Sequence, residues 1–138
     1  MLKRFFDILS SLIVLIIISP LLILISIFIK LDSKGKILYN QKRVGINGKE
    51  FKLFKFRTMK PGSDKKGLLT IGNDTRITRV GNVLRKTKLD ELPQLFNIII
   101  GDMSVVGPRP HMIVEDSRLS EAIDKYRMRY WIKPGITG

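Results

Sequence analysis

The pattern of hydrophobic and polar positions divides the chain into one long apolar segment and a series of shorter alternating ones. Residues 8–29 are apolar except at Ser10, Ser11, Ser19, Pro20 and Ser26. As a single helix this segment would be about 33 Å long, enough to cross a bilayer core of about 30 Å. It is too long for a signal peptide and no small-residue cleavage site follows it, so it predicts a retained membrane segment.

Ser19 and Pro20 interrupt the middle of this segment. A proline there removes a backbone hydrogen bond at a cost of about 3 kcal/mol, and the neighbouring serine can bond a freed carbonyl, so a kink is expected. Basic residues flank the segment on both sides: Lys3, Arg4, Lys30, Lys34 and Lys36. Because positive charge marks the cytoplasmic side, the sequence is compatible both with a kinked crossing and with a re-entrant helix that leaves by the face it entered.

A β-hairpin is predicted between Ile37 and Met59. Asn47-Gly48 supplies the positive φ angles of a tight turn between two aromatic and β-branched runs. In the second run, basic residues alternate with aromatic ones: Phe51, Lys52, Phe54, Lys55, Phe56 and Arg57. This alternation is typical of single-stranded nucleic acid binding or of a surface that rests on lipid headgroups, and the apolar segment upstream favours the membrane.

The remaining elements are predicted from periodicity. Lys60–Asn73 is a polar loop rich in glycine and lysine, and a helix over Arg76–Lys86 follows, although Gly81 weakens it. A second amphipathic helix spans Glu115–Tyr130, with its core face formed by Leu119, Ala122, Ile123, Tyr126 and Tyr130. The chain is predicted to finish as a turn over Gly135–Gly138.

The candidate chemistry centres on Asp90 and Glu91. Pro93 is tolerated in a first helical turn and disfavours helical geometry at Leu92, which predicts a helix from near Asp90 to about Ile100. The unpaired N–H groups at such a helix end favour ionised carboxylates and attract phosphate. The simpler interpretation is that the two carboxylates only cap the helix.

Two arginines are candidate phosphate ligands. Arg85 lies five residues before Asp90, and Arg109 lies between Pro108 and Pro110, which hold its backbone stiffly. A guanidinium on a stiff backbone suits bidentate contact with phosphate, although a proline-rich turn with an incidental arginine has the same pattern. His111, the single histidine, is assigned no role.

The net charge limits the kinds of partner that the chain can have, and the cysteine content limits the kinds of cross-link and metal site. The net charge of +13 implies a polyanionic partner, which could be nucleic acid, anionic lipid or a phosphorylated substrate. Cysteine is absent, so disulfides and thiolate metal sites are excluded. The chain has no P-loop, dinucleotide-binding glycine pattern or zinc-ligand spacing.

Several motifs, in order over essentially the whole chain, resemble the bacterial sugar transferases, the monotopic polyprenyl-phosphate phosphoglycosyl transferases. The matching stretches are Lys3–Asp7, Ser19-Pro20, Gln41–Gly45, Lys55–Met59, Arg76–Gly81, Leu89–Leu95, Gly101–Ser104, Gly107–Pro110 and Pro134–Gly138. The resemblance implies an α+β, mostly helical fold. Residues 1–34 would form a re-entrant membrane helix-break-helix, broken at Ser19-Pro20. Residues 35–138 would form a small catalytic domain, with a β-hairpin and amphipathic helices, on the cytoplasmic face of the bacterial inner membrane.

The resemblance also implies a reaction, an early membrane step of glycoconjugate or exopolysaccharide synthesis. A phosphosugar would pass from a UDP-sugar to undecaprenyl phosphate or another polyprenyl phosphate, with release of UMP. By similarity, Asp90 is the nucleophile that forms an aspartyl-phosphosugar intermediate, Glu91 holds Mg²⁺, and Arg85 and Arg109 bind phosphate groups. Membrane lipids are an expected partner and nucleic acid is not, while the sugar and the oligomeric state stay open.

Two departures from the family pattern bear on these expectations. Lys88 stands where the family usually has serine, and the motif and helix that usually follow Pro134–Gly138 are missing, so the catalytic domain is expected to lack its C-terminal part. The alternative hypothesis is therefore a non-catalytic, truncated membrane-bound module that binds lipid or nucleic acid through its basic surface.

Overall fold

The structure is a computed structural model that describes residues 2–63 and 74–138, so most of the predicted loop Lys60–Asn73 lies outside the described residues. Four helices and four strands make up its regular elements: α1 Leu2–Asp32, β1 Leu38–Val44, β2 Glu50–Phe56, α2 Arg79–Thr87, α3 Gln94–Ile100, β3 Ser104–Val106, α4 Ile113–Ala122 and β4 Gly135–Thr137. Short 3₁₀ segments lie at Ile46–Gly48, Leu89–Glu91 and Tyr126–Trp131. The predicted mostly helical α+β class is confirmed.

The long apolar segment forms one helix, α1, that continues through Pro20. No interruption of α1 appears at Ser19-Pro20. The helix-break-helix that the family resemblance implies there is a statement about the membrane and stays a prediction. Within the described residues, α1 is the one helix long and apolar enough to cross a membrane, with a mean hydropathy of 3.3 and 11% of its most apolar stretch buried. Its path in a membrane stays a prediction.

The predicted hairpin is confirmed. β1 and β2 form a two-stranded sheet, and the turn between them has positive φ angles of 56° at Asn47 and 70° at Gly48. These two residue types adopt the left-handed region most readily, so the local sequence alone is enough to place the turn.

Contacts divide the chain into two compact units. The first unit is made of Met1–Ile17, Asn40–Phe54 and Gln94–Gly138, and the second of Ile18–Tyr39 and Lys55–Pro93. The division predicted from the family resemblance, with residues 1–34 as a membrane element and 35–138 as a catalytic domain, is a statement about the membrane and stays a prediction.

The first unit packs α3 against one edge of β2. Leu53, Ile98 and Met103 form its buried apolar core, with Phe51, Leu95, Val105 and Ile136 around them. The fully buried Asn97 binds the strand directly: its Oδ1 accepts from Phe54 N at 2.9 Å and its Nδ2 donates to Lys52 O at 2.7 Å. A side-chain amide supplies one donor and one acceptor here, so it satisfies two backbone groups that a helix cannot reach with its own backbone.

The start of α1 belongs to the same unit. The buried Asp7 accepts from Ser104 Oγ at 2.8 Å and from Val105 N at 3.1 Å. Arg4 donates to the carbonyl oxygens of Ile98 and Ile99 at the end of α3, where a cation is favourable. The basic and acidic residues of the Lys3–Asp7 motif therefore attach α1 to this unit.

The end of the chain differs from its prediction. Gly135–Thr137 is not a turn but the strand β4, which pairs in parallel with β3 so that Ser104 faces Gly135. A Cβ built on Gly107 would lie 2.2 Å from the Lys133 carbonyl oxygen, and one on Gly135 would lie 2.1 Å from Gly107 N. Glycine is required at both positions because two backbones approach closely.

The predicted helix over Glu115–Tyr130 is also wrong in its length. α4 ends at Ala122, Ile123 is extended, and Lys125 with a φ of 61° leads into the 3₁₀ segment. Ile123 is 49% exposed rather than part of a core face. The tyrosines of that face, Tyr126 and Tyr130, instead direct their hydroxyl groups to Asp116.

The second unit has its own apolar core. Ile25 and Ile29 of α1 pack with Phe56 and Leu84, and smaller contributions come from Leu22, Ile37, Val80, Leu89 and Leu92. The end of α1 is fixed by polar contacts: Asp32, its last residue, accepts from Val80 N at 2.9 Å, and the Arg57 guanidinium donates to Ser33 O at 2.6 Å. Both polar contacts lie at the end of the helix whose apolar face completes the core.

Candidate active site

The carboxylate pair lies in a 3₁₀ turn that follows α2. Lys88 takes the left-handed conformation, with a φ of 61°, and its N–H donates to Arg85 O, which ends α2. Glu91 N then donates to Lys88 O at 3.2 Å. The prediction that Asp90 begins a helix is wrong, because α3 starts only at Gln94 and has no acidic residue in its first turn. The two carboxylates therefore lie in the turn that precedes α3 and not in its first turn.

The turn is held by the apolar residues on either side of the pair. Leu89 and Leu92 pack against the second unit's core, while Asp90 between them is 9% exposed. The two leucines that flank the carboxylate pair are partly buried against this core, and their packing fixes the position of Asp90.

Lys55, at the end of β2, forms an ion pair with Glu91. The distance from Lys55 Nζ to Glu91 Oε1 is 2.9 Å, and both side chains are 16% exposed. We had no indication of this from the sequence, where Lys55 belongs to the row of basic residues assigned to headgroups or nucleic acid. The available signal was its place between the strand positions Leu53 and Phe56, both buried, where a charged side chain needs a partner.

Arg85, on α2, is hydrogen-bonded to Thr58, which lies two residues beyond the end of β2 in the Lys55–Met59 motif. Its Nε donates to Thr58 Oγ1 at 2.8 Å, and Thr78 N donates to Thr58 O at 3.0 Å. A Cβ built on Gly81 would lie 2.1 Å from the same Thr58 carbonyl oxygen. The glycine that weakens α2 in the sequence is therefore the residue that lets α2 approach Thr58 and carry Arg85 with it.

Burial raises the pKa of Asp90 above its ordinary value of 3.8. The Lys55 ammonium opposes this effect, the Glu91 carboxylate adds to it, and the Arg85 guanidinium opposes it. Two cations and a backbone hydrogen bond thus favour the ionised form of Asp90 against the effect of burial. The structure therefore brings together three of the predicted site residues, Asp90, Glu91 and Arg85, and adds Lys55.

Arg109 belongs to the first unit, where its side chain is exposed between Pro108 and Pro110. Its backbone carbonyl accepts a hydrogen bond from the Arg129 guanidinium. Its assignment to phosphate binding stays a prediction.

His111 has partners that the sequence did not indicate. In the first unit its Nδ1 lies 2.7 Å from the Tyr126 hydroxyl and 2.9 Å from Arg129 Nη1. Burial, and then the charge of Arg129, lower the pKa of His111 below 6.5. Burial and the hydrogen bond to Asp116 raise the pKa of Tyr126 to about 12. Tyr126 was missed because helical spacing assigns it to a core face.

Comparison with known proteins identifies the family of this chain from its sequence. The family model described as "Bacterial sugar transferase" matches residues 1–138. The chain belongs to the bacterial sugar transferase family. In this member of the family the Lys55–Met59 and Arg76–Gly81 stretches lie in the same unit as Asp90, together with residues 89–93 of the Leu89–Leu95 stretch.

Several named relatives can be aligned with almost the whole length of this chain. The chain is 45% identical over 139 residues to the UDP-glucose:undecaprenyl-phosphate glucose-1-phosphate transferase of Escherichia coli (strain K12), which matches 100% of this chain. It is 46% identical over 142 residues to the exopolysaccharide production protein PSS of Rhizobium leguminosarum bv. phaseoli. It is 41% identical over 137 residues to the UDP-N-acetylgalactosamine-undecaprenyl-phosphate N-acetylgalactosaminephosphotransferase of Aeromonas hydrophila.

The share of each relative that is matched varies. The chain spans 30% of the Escherichia coli relative, 32% of the Aeromonas relative and 71% of the Rhizobium relative. The names of these relatives differ in the sugar, glucose in one and N-acetylgalactosamine in another, so similarity to them does not identify the sugar for this chain.

The residues around Asp90 fit Mg²⁺ only together with a substrate. Among residues 2–63 and 74–138 no group of three or more acidic or histidine side chains could surround a metal ion. Glu91 supplies a hard carboxylate oxygen, although its ion pair with Lys55 engages one side of it. Magnesium in proteins commonly takes one or two carboxylates and completes its shell with substrate phosphates and water. This donor set is compatible with that mode of binding and not with a metal site made of protein ligands alone.

Proposed function

We propose that this chain provides a phosphoglycosyl transferase site, which moves a phosphosugar from a UDP-sugar to undecaprenyl phosphate and releases UMP. The observation that carries the proposal is the buried Asp90 carboxylate with Glu91 beside it and the cations Lys55 and Arg85 acting on it. A carboxylate that is shielded from water is a stronger nucleophile than a solvated one, and adjacent cations suit the diphosphate it would attack.

The first step would form a covalent intermediate at Asp90. One carboxylate oxygen attacks the phosphorus that bears the sugar, and the bond from this phosphorus to the bridging oxygen breaks. UMP leaves with the bridging oxygen and the electron pair of that bond, and the sugar phosphate remains on Asp90 as an acyl phosphate. Arg85 would offset the negative charge that grows on the phosphoryl oxygens, since its guanidinium already acts on Asp90.

The second step would regenerate the enzyme. An oxygen of undecaprenyl phosphate attacks the same phosphorus, the bond to Asp90 breaks, and the carboxylate is restored as the lipid-linked diphosphate forms. Glu91 would hold Mg²⁺ together with substrate phosphate oxygens, and the ion when bound supplies positive charge to the diphosphate and its leaving group. Arg109 would bind a phosphate group of one of the substrates.

We also propose that α1 holds this site at the cytoplasmic face of the bacterial inner membrane, without crossing the bilayer. Asp7 near one end of α1 bonds to Ser104 in the first unit, and Asp32 at the other end bonds to Val80 N in the second. Basic residues stand on both sides of the apolar segment, Lys3 and Arg4 before it and Lys34 and Lys36 after it, and positive charge marks the cytoplasmic side, which supports both ends of α1 on one face.

This topology predicts that both ends of α1 react from the same side of the membrane. The chain has no native cysteine, so Leu2→Cys and Lys34→Cys, made separately at exposed positions, each give one thiol. In intact spheroplasts neither thiol is expected to react with a membrane-impermeant maleimide, and in inside-out vesicles both are. Labelling of one position in spheroplasts and of the other in vesicles would establish a crossing helix instead.

The proposed reaction is tested by its products. Purified protein in detergent, given Mg²⁺, undecaprenyl phosphate and a panel of UDP-sugars, is expected to release UMP with one of them. Without the lipid acceptor, a peptide that contains Asp90 should gain the mass of one phosphosugar, which also identifies the sugar. Release of UDP in place of UMP would contradict the proposal. Salt-sensitive binding to nucleic acid or lipid with no turnover of any UDP-sugar would favour a non-catalytic module.

The pKa of Asp90 leads to a pH prediction for the first step. The diphosphate of a UDP-sugar does not titrate near neutral pH, so the acidic limb of intermediate formation should report Asp90 and lie above pH 3.8. Lys55→Met removes a cation that lowers this pKa, and the limb is therefore expected to move to higher pH. The matched control is Lys52→Met, at an exposed lysine of the same strand, which should leave the limb in place. An unchanged limb in Lys55→Met would show that another group controls the step.

A further inference from the structure

Four consecutive backbone carbonyls around Arg109 accept hydrogen bonds from outside their own loop. The oxygen of Pro108 accepts from Gly135 N at 3.1 Å, and that of His111 accepts from Val44 N at 3.2 Å. The oxygen of Pro110 accepts from Arg43 Nη1 at 3.1 Å, and that of Arg109 itself accepts from the Arg129 guanidinium. The donors come from β1, from the backbone beside Pro134 and from the 3₁₀ segment Tyr126–Trp131, so the loop is held from several directions.

Of these donors, Arg129 holds the carbonyl of Arg109 itself. The other three donors fix its neighbours, and two of them are backbone N–H groups that no substitution of a side chain removes. A guanidinium with its donors in a rigid plane can hold that carbonyl and other acceptors at once. The hydrogen bond from Arg129 is therefore the contact at Arg109 that a side-chain substitution can remove while the path of the backbone stays the same.

Arg129 is in turn fixed by a partly buried polar cluster. Its Nη1 donates to the Tyr126 hydroxyl at 2.9 Å and lies 2.9 Å from His111 Nδ1, and its guanidinium carbon lies 4.8 Å from the centre of the Tyr126 ring. The Tyr126 hydroxyl donates its single proton to Asp116 Oδ1 at 2.9 Å. Asp116 is 7% exposed and also accepts from the Tyr130 hydroxyl. The aromatic contact and the hydrogen bonds leave the guanidinium little freedom.

We propose that Arg129 is a positioning residue that fixes the backbone of Arg109, so that the exposed Arg109 side chain meets a substrate phosphate from a preset direction. The proposal rests on the phosphate-binding role given to Arg109 in the proposed function. A flexible arginine loses side-chain and backbone freedom when it binds an anion, and a backbone already held by Arg129 has less freedom to lose. Arg129 does not touch substrate itself and acts through Arg109.

The first test measures the loop directly and needs no activity. In hydrogen–deuterium exchange, peptides that cover residues 105–112 are expected to exchange faster in Arg129→Gln than in the wild type. Arg127→Gln is the matched control: it removes the same charge from an exposed arginine of the same 3₁₀ segment and should leave exchange of these peptides unchanged. Equal exchange in Arg129→Gln and Arg127→Gln would overturn the proposal.

The second test is a double-mutant cycle on UDP affinity, measured by equilibrium dialysis on detergent-solubilised full chain. Arg129→Gln is expected to weaken UDP binding about tenfold, and Arg109→Gln at least as much, in line with a charge-assisted hydrogen bond. If Arg129 acts through Arg109, the double variant should bind no more weakly than Arg109→Gln alone. Additive losses, or wild-type affinity in Arg129→Gln, would overturn the proposal.

Failure of the proposed function has a different signature. A wild-type protein with no affinity for UDP, or an Arg109→Gln variant with wild-type affinity, would remove the phosphate-binding role and with it the effect of Arg129 on binding. The exchange measurement would still decide whether Arg129 holds the loop. A loss in Arg129→Gln that appears equally in Arg127→Gln would assign the effect to net charge and overturn the positioning role.

Discussion

Asp90→Asn is expected to abolish sugar-phosphate transfer and to stabilise the folded protein. An amide in place of the nucleophilic carboxylate cannot form the acyl phosphate, so UMP release should fall by at least about a thousandfold, as for other enzymes that lose a nucleophile. The assay is UMP release with the UDP-sugar that the wild type uses, together with the search for a mass increment on the peptide that contains residue 90. Activity within tenfold of the wild type would remove Asp90 from the mechanism.

The gain in stability follows from the pKa of Asp90. A folded-state pKa raised above 3.8 means that ionisation costs more in the folded than in the unfolded chain. This cost is absent below pH 3.8, where the group is protonated in both states, and is complete once the pH exceeds the folded pKa. Asp90→Asn should therefore raise the melting temperature at pH 7.5 more than at pH 4.

The control is the same chemical change at the exposed Asp124, which should alter neither the melting temperature nor UMP release. A loss of activity without any gain in stability at pH 7.5 would show that burial does not disfavour the charged form of Asp90. The two measurements together separate a residue kept for chemistry from one kept for the fold.

Asn97→Leu is expected to cause the largest loss of stability among single substitutions in the first unit. Leucine fills a similar volume but leaves Phe54 N and Lys52 O, which bond the Asn97 side chain, without these partners. Each buried backbone group left unsatisfied costs about 1–3 kcal/mol, so the free energy of unfolding should fall by about 2–6 kcal/mol. The measurement is thermal unfolding in detergent.

Two further variants make this result specific. Asn97→Asp keeps the acceptor for Phe54 N, and at low pH its neutral carboxyl group also has an O–H that can donate to Lys52 O, so it should be less damaging there than Asn97→Leu. Asn82→Leu, at an exposed asparagine of α2, should have little effect. Equal melting temperatures for Asn97→Leu and Asn82→Leu would show that the amide bridge between α3 and β2 contributes nothing.

The parts of the fold that depend only on residues adjacent in the sequence could be predicted. Asn47-Gly48 fixes the hairpin turn through local backbone preference, and the apolar helix α1 can be predicted from its own residues alone. Gly135–Thr137, in contrast, becomes a strand because it pairs with Ser104–Val106, some thirty residues earlier in the chain. A short segment with no periodicity of its own cannot reveal that pairing.

The candidate site follows the same division. Asp90, Glu91 and Arg85 could be found because they lie within seven residues of each other and stand in recognisable motifs. Lys55 is 36 residues from Glu91, and its ion pair depends on how β2 meets the 3₁₀ turn. Helical spacing also gives the wrong prediction for Tyr126 and Tyr130, since an apolar ring and a hydroxyl that needs a partner share one side chain.

The attachment of Asp7 to Ser104 has a consequence for how the protein is made. The two residues are 97 positions apart, which corresponds to about 5–20 s of translation at about 5–20 residues per second. Helices form within about a microsecond, so α1 exists for seconds on the ribosome before Ser104 or the rest of its docking partner has been synthesised. If α1 lies in the membrane as proposed, lipid is the surface that can cover its apolar side chains during that interval. Membrane capture would then come before tertiary folding, and the remainder of the chain would fold onto a helix already bound to the bilayer.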